Sequence, residues 1–208
     1  MRPLDIGLIG AGIAGLTAAR ALQLAGFRVR VYEQAPELGE VGAGLTVSPN
    51  ATHVLNAIGL GEELERIGMR PDRGGVKHWR TGELLVDLPR GSGMIERYGA
   101  AYFQVHRADL HGALADAVCT HDRQAIRLDH KFRGLVQRDG RVEIGFERGS
   151  SVTADVVIGA DGIRSNVRAA LFGEQRPRFT GYIAWRGLVP MAKLPPGIIY
   201  PTSCLSIG

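Results

Sequence analysis

Three glycines and a carboxylate early in the chain, and an Asp-Gly pair far downstream, are the residues whose types and spacing could do chemistry. Gly10, Gly12 and Gly15 form G-x-G-x-x-G inside "DIGLIGAGIAGLTAARALQLAGFRVRVYEQ", and Glu33 lies 18 residues beyond Gly15. Such a set grips a dinucleotide. Gly10 permits a tight turn, Gly12 lets backbone approach a pyrophosphate, and Gly15 lets a helix pack close to a sheet. The helix start offers unpaired N–H groups and a partial positive charge, while Glu33 can accept both ribose hydroxyls of an adenosine. Its charge argues against a 2′-phosphate here and does not choose between NAD and FAD. The second set lies in "ADVVIGADGIRSNVR", residues 154–168. An apolar run from Asp155 to Ala160 reads as a buried strand that delivers Asp161-Gly162, then Arg164, Ser165, Asn166 and Arg168. A bare turn needs Asp-Gly but none of the rest.

These residues need elements to position them. Ile6 to Ile9 reads as a strand, and Ile13, Leu16, Ala19 and Leu22 mark a helix that stops near Gly26. Arg28 to Glu33 alternates as a second strand, completing a βαβ unit. Gly39, Gly42 and Gly44 then predict a close-approach loop beside a large flat ligand. Ser48 and Pro49 open a helix as N-cap and first helical residue, with Ala51, Val54, Leu55 and Ile58 as its apolar face and Gly59 as its stop. "VKHWRTGELLVDL" reads as a hairpin turning at Thr81-Gly82 and belonging to another sheet. "YFQVHRADLHGALADAV" gives a strand ending at Arg107 and a helix from about Asp109, with Cys119 on its core face. Residues 126–160 read as a β-meander turning through Asp139-Gly140.

Composition removes several function classes. Only Lys77, Lys131 and Lys193 are lysines, and the arginines that carry the +4 net charge are scattered. Nucleic-acid surfaces cluster their charge, so no nucleic acid is expected as a partner, and a small anionic ligand fits better. No apolar run approaches the length of a membrane span. Cys119 and Cys204 make no disulfide framework, which points to a reducing cytoplasm. The six histidines are dispersed without metal-ligand spacing, and no G-x-S-x-G occurs.

The fingerprint ending in Glu33, then "GAGLTVSPNA", "HRADLH" and "VIGADGIRSNVR" in that order, resembles the single-component flavoprotein aromatic hydroxylases. These are FAD-dependent monooxygenases related to salicylate and hydroxybenzoate hydroxylases. The resemblance extends over essentially the whole chain. It implies an α/β fold: a Rossmann-like FAD-binding domain, with a parallel sheet and a β-meander, plus the start of a mixed or antiparallel substrate-domain sheet. The implied FAD-binding domain is 1–73 and 97–175, and the partial substrate domain is 74–96 and 176–208. It implies FAD as cofactor, NADH or NADPH as co-substrate, and oxygen transfer from O₂ to a small phenolic or aromatic-acid substrate. A homodimer is left open.

By the same resemblance, FAD lies along Gly10, Gly12, Ala14, Gly15, Glu33 and Gln34, and beside the backbones of Thr46, Val47 and Phe132. Arg107 would reach its phosphate and ribityl region. Asp161 would orient donors, Gly162 would let backbone approach, and Arg164 and Arg168 would hold anionic groups or the local fold. "GYIAWRGLVP", residues 181–190, would be the first strand of the sheet covering the flavin, joined by the hairpin at 76–88. Its alternation sets Tyr182 and Arg186 on one face and Trp185 on the other. No catalytic side chain is assigned.

Two departures stand out. Relatives acting on hydroxylated pyridine acids can carry histidine where this chain has Thr46. The family's later Gly-Asp motif is absent, so the chain reads as the first half of a longer protein and is expected to be inactive alone. Two other readings remain: another FAD-dependent oxidoreductase on the same scaffold, and a catalytically incomplete FAD-binding fragment. "AWRGLVP" does not match the W-x-W-x-I-P of a tryptophan-motif halogenase.

Overall fold

The computed structural model describes residues 2–39, 43–183, 187, 189–194 and 202–207. In chain order the elements begin with β1 (Asp5–Ile9), α1 (Ile13–Leu24), β2 (Arg28–Tyr32), β3 (Gly44–Val47), α2 (Pro49–Ala57) and α3 (Gly61–Ile67). They continue with β4 (Gly68–Met69), β5 (Arg73–His78), β6 (Leu84–Pro89), α4 (Ser92–Tyr98), β7 (Phe103–His106) and α5 (Arg107–His121). The last are β8 (Ile126–Arg127), β9 (Phe132–Arg138), β10 (Arg141–Phe146), β11 (Val152–Ala154), β12 (Val156–Gly159), α6 (Asn166–Phe172) and β13 (Thr202–Ile207). They divide into two compact units, residues 1–40 with 111–183 and residues 41–110 with 184–208.

The first unit is built on a parallel sheet in the order β12-β1-β2-β8. Ile6 pairs with Val156 and Val29, and Leu8 with Ile158 and Val31. Leu8, Val31, Leu16 and Ala19 are almost wholly buried, which accounts for the burial of the sheet against α1. The second layer is the antiparallel meander β11-β10-β9. Its Ile144 and Phe146 join Ile9, Tyr32, Phe132, Ala154 and Val167 in one cluster. Gly7 makes that packing close: a Cβ there would stand 2.8 Å from Ile144 Cδ1. Gly159 does the same for α6, where an added Cβ would stand 2.8 Å from Val167.

A charge network ties the start of the chain to the last parallel strand. Asp155 accepts from the Asp5 N–H at 2.8 Å and pairs with Arg2 at 2.9 Å and Arg141 at 3.3 Å. Asp5 in turn pairs with Arg28 at 2.8 Å. The Asp5 N–H, followed by the Arg2 and Arg141 charges, holds the Asp155 carboxyl below its ordinary range, against the opposing pull of partial burial.

The second unit carries two three-stranded sheets, β3-β7-β4 and β13-β5-β6. In the first, Leu45 pairs with Val105 and Val47 with Phe103. Thr52 fastens α2 to this region by donating to Ala101 O at 2.8 Å. In the second, β5 and β6 form the expected hairpin, longer than its sequence pattern, with Gly82 at φ +72° in the turn. β13 joins it in parallel, Cys204 beside Gly75 and Leu205 beside Val76.

Several expectations are corrected. Residues 126–160 are not one meander: β8 and β12 belong to the parallel sheet, because β8 pairs with β2 and β12 with β1. Strand β12 is not fully buried; it is an edge among the described residues, with Val156 39% exposed. The glycine-rich loop ends earlier than expected, since Gly44 already starts β3. Ser48 is the N-cap of α2, but its hydroxyl donates to the Asn50 side chain at Oδ1 and accepts from no backbone N–H of the helix. Val54 points outward at 46% exposure, and the buried face of α2 is Pro49, Thr52 and Leu55. Helix α5 starts at Arg107 itself, and Cys119 on it is half-buried, its thiol pushed up by burial first and by Asp116 and Asp122 next. In 181–190, Trp185, Arg186, Ala184 and Leu188 lie outside the described residues; Tyr182 and Ile183 are exposed and not in a strand.

Candidate dinucleotide site

Strands β1, β2 and β12 run parallel, so their C-terminal ends lie together, where ligands of open α/β sheets bind. A 620 Å³ cleft occupies that end. Of the residues expected at a dinucleotide, Gly10, Gly12, Glu33, Gln34, Phe132, Asp161 and Gly162 line it. Ala14 and Gly15 lie on the first turn of α1, with Gly15 buried. Thr46, Val47 and Arg107 belong to the second unit. There Thr46 Oγ1 accepts from Tyr102 at 3.2 Å, Val47 is buried, and the Arg107 N–H donates to Ala43 O at 2.9 Å.

The glycines divide by what requires them. Gly10 has φ +103°, and a Cβ there would stand 2.5 Å from Ala160 O. A Cβ on Gly15 would stand 2.0 Å from Gly10 O. The fold itself demands both. Gly12 differs: its φ is −71° and an added Cβ would meet nothing within 4 Å. No internal contact explains a glycine at a position that borders the cleft. A ligand passing against its backbone would. As N-cap of α1, Gly12 brings no side chain to the helix start, and the first turn holds no acidic residue. The N-terminal N–H groups are therefore available to an anion.

Glu33 follows directly on β2. Its backbone is fixed at both ends: its N–H donates to Arg127 O, and its C=O accepts from the His130 N–H, each at 2.8 Å. Its carboxylate accepts from the Ala11 N–H at 2.8 Å and the Ala35 N–H at 3.0 Å. One acceptor site on each oxygen stays open to a ribose hydroxyl. Tyr32, His130 and Lys131 also line the cleft and were missed by sequence reasoning. Burial pushes the Tyr32 phenol up, against Arg30 and Arg127, so it stays neutral. His130 is fixed by donating from Nδ1 to Leu128 O at 2.5 Å and by an edge-on stack against Phe146. A signal for these residues existed: His130 and Lys131 immediately precede Phe132, and Tyr32 immediately precedes Glu33.

The Asp-Gly motif now has a physical account. Asp161 Oδ1 accepts from Ser165 Oγ at 2.5 Å, and Oδ2 accepts from the Asn166 N–H at 2.6 Å and the Val167 N–H at 3.1 Å. Ser165 Oγ then accepts from the Arg168 N–H at 2.9 Å. Two side chains thus satisfy three N–H groups of a short helix. Arg168 donates to Ile163 O at 2.9 Å, so it braces the turn. Gly162 takes φ +80° at the lip of the cleft. Arg164 is exposed on the cleft wall, with no partner among the described residues. One aspartate therefore closes the strand tip and starts a helix, and one arginine is left free for an anion.

The sequence model of a family described as "FAD binding domain" matches residues 4–196. The chain is 37% identical over 201 residues to 6-hydroxynicotinate 3-monooxygenase of Pseudomonas fluorescens, covering 96% of this chain and 51% of that protein. It is 39% identical over 194 residues to 3-amino-4-hydroxybenzoate 2-monooxygenase of Streptomyces cremeus, covering 93% of this chain and 48% of that protein. Among solved structures, Klebsiella pneumoniae HpxO complexed with FAD and uric acid superposes with a TM-score of 0.72 at 30% identity, over 80% of this chain and 41% of that one. The chain spans about half the length of the curated relatives it matches. The open space at Gly12 and the unfilled acceptor sites of the Glu33 carboxylate fit the ADP portion of FAD.

Proposed function

The chain belongs to the FAD binding domain family, and from that premise we propose that the intact protein is a monooxygenase that uses NAD(P)H and O₂ to hydroxylate a small aromatic substrate. The observation that carries the reading is the joint one at the cleft. A glycine with no internal reason to be glycine borders it, and an acidic residue pre-held by two N–H groups, one of them from the neighbouring Ala11, lines it too. The relatives named for activity on hydroxynicotinate and aminohydroxybenzoate supply the substrate class.

In this reading FAD, when bound, supplies the redox chemistry. The chain's own residues bind and orient it. The α1 N-terminus and Gly12 take the pyrophosphate, and Glu33 and Gln34 take the adenosine ribose. The backbones of Ala14, Thr46, Val47 and Phe132, with Arg107, run along the remainder. Gly162 lets backbone approach at the strand tip, and exposed Arg164 offers its charge to an anionic group of the nicotinamide cofactor. The sheet of β5, β6 and β13 fits the start of the substrate domain, so 74–96 and 176–208 are assigned to it, and 1–73 with 97–175 to FAD.

Thr46 favours a phenolic or benzoate-like substrate over a hydroxypyridine acid that uses a histidine base. We also place the protein in the cytoplasm as a homodimer. No described helix is long and apolar enough to cross a membrane. Sedimentation of the intact protein at the monomer mass would remove the dimer. The decisive experiment measures NAD(P)H oxidation by the intact protein across hydroxybenzoates and hydroxypyridine acids, with product identified. Substrate-stimulated oxidation with hydroxylated product supports the proposal. Reduction of FAD without oxygen insertion into any of them overturns it.

A further inference from the structure

Ala11, between the first two glycines of the fingerprint, is held at both of its backbone polar atoms. Its N–H donates to Glu33 Oε2 at 2.8 Å, and its carbonyl accepts from His111 Nε2 at 2.7 Å. A carbonyl oxygen only accepts, so Nε2 of His111 carries a proton. His111 stands 100 residues away on α5 and is only 6% exposed, next to Leu110 at 4% and near Leu114 at 0%. A polar ring in such packing costs stability unless its donor is used. Its use here is a single backbone atom in the loop that borders the cleft.

The geometry of the next peptide gives that bond a consequence. The Ala11–Gly12 peptide is trans, since no cis bond occurs among the described residues. The C=O and N–H of a trans peptide point in opposite directions. A bond that draws the Ala11 carbonyl toward α5 therefore turns the Gly12 N–H away from α5. Among the described residues no protein group accepts from that N–H, and Gly12 borders the cleft.

We propose that His111 is a positioning residue for FAD: by holding the Ala11 carbonyl it fixes the Ala11–Gly12 peptide with the Gly12 N–H directed at the pyrophosphate. The proposal rests on FAD occupying this cleft. Glu33 and His111 clamp the same residue from its two sides, so the ribose acceptor and the pyrophosphate donor are set as one unit before the cofactor arrives. Without His111, the peptide must be ordered at the moment of binding. Fixing about one residue of backbone corresponds to a loss of about 5- to 30-fold in affinity.

The test titrates FAD into the intact apoprotein by flavin fluorescence, alongside thermal unfolding without FAD. His111→Leu should weaken FAD about 5- to 30-fold. His111→Gln should stay within about threefold of native, because its amide nitrogen is as many bonds from Cβ as Nε2 is. His111→Asn, whose amide stops at the Nδ1 position, should behave like His111→Leu. Restoration by glutamine but not asparagine separates positioning from packing, since both amides are polar and smaller than the ring. If glutamine restores nothing that leucine loses, His111 acts through packing and the proposal fails. Native affinity in His111→Leu and His111→Asn, with affinity lost in Gly12→Ala, overturns the role of His111 alone. Native affinity in Gly12→Ala overturns the placement of FAD in this cleft beneath it. Should His111→Leu fail to fold, the glutamine and asparagine variants decide the question in the same way.

Discussion

Gly12→Ala and Gly15→Ala add the same methyl three residues apart and should fail in opposite ways. At Gly12 the backbone sits at φ −71° and ψ 177°, where alanine is unstrained, and the new Cβ meets nothing within 4 Å. The apoprotein should lose no more than about 1 kcal/mol, the scale of a changed N-cap. With FAD present, the methyl occupies the space the pyrophosphate needs. Overpacking a close contact costs about 1–3 kcal/mol, which is about a 5- to 150-fold loss of affinity. At Gly15 the new Cβ would stand 2.0 Å from Gly10 O and 3.3 Å from the Ala160 Cβ. The first of these is backbone pinned by the fold, so it cannot swing aside. The cost should reach about 3 kcal/mol or more, a fall of about 6–12 °C in Tm for a chain of this size. Scanning calorimetry of the apoproteins and FAD titration of each variant provide the two axes. If Gly12→Ala melts as early as Gly15→Ala, or binds FAD as the native protein does, the steric argument for the cleft is wrong.

Three further outcomes follow from the same contacts. Glu33→Ala removes the acceptor of two N–H groups and should weaken FAD by about 10- to 150-fold, from about 1.5–3 kcal/mol for hydrogen bonds to a charged group; unchanged titration would move the adenosine elsewhere. Asp155 has its carboxyl lowered in the folded state, so its contribution is present above the ordinary carboxylate range and is lost as pH falls through the lowered value. Asp155→Asn should therefore flatten the acid side of the Tm-versus-pH curve, and parallel curves for the two proteins would refute this. Asp161→Ala should cost about 0.5–2 kcal/mol through the lost cap of α6, seen as faster amide exchange at Asn166 and Val167; unchanged exchange there would contradict the capping role.

Much of the first unit was legible because its signals are local. The βαβ unit writes itself in alternation, a helical repeat and three glycines, and its boundaries agree within a residue or two with β1, α1 and β2. The meander was legible at Asp139-Gly140, where positive φ at both residues is encoded by their types. Its ends were not legible. β8 and β12 are short, and their pairing with β2 and β1 depends on residues about 95 and 150 positions away. Short strands carry too few residues for alternation to show which sheet they join. Helices α3 and α4, seven residues each, escaped for the same reason.

The candidate site was legible where it depends on side-chain type and illegible where it depends on backbone. Glu33 could be named because an acidic residue at the end of a second strand is a pattern. That it is pre-held by the Ala11 and Ala35 N–H groups leaves no trace, since any residue offers an N–H. His111 is the extreme case. Its partner is a carbonyl oxygen, the least type-specific acceptor in a protein, and the two are 100 residues apart. In the sequence it is one of six scattered histidines, without metal-ligand spacing. What sets it apart is its place: a helix face otherwise filled by Leu110, Ala113, Leu114 and Val118 spends a buried position on a donor. A buried side-chain donor must be answered by an acceptor, and here the acceptor lies in the glycine loop that borders the cleft. The glycine fingerprint therefore extends beyond its own motif: the orientation of its central peptide is set from α5, where no glycine pattern would direct attention.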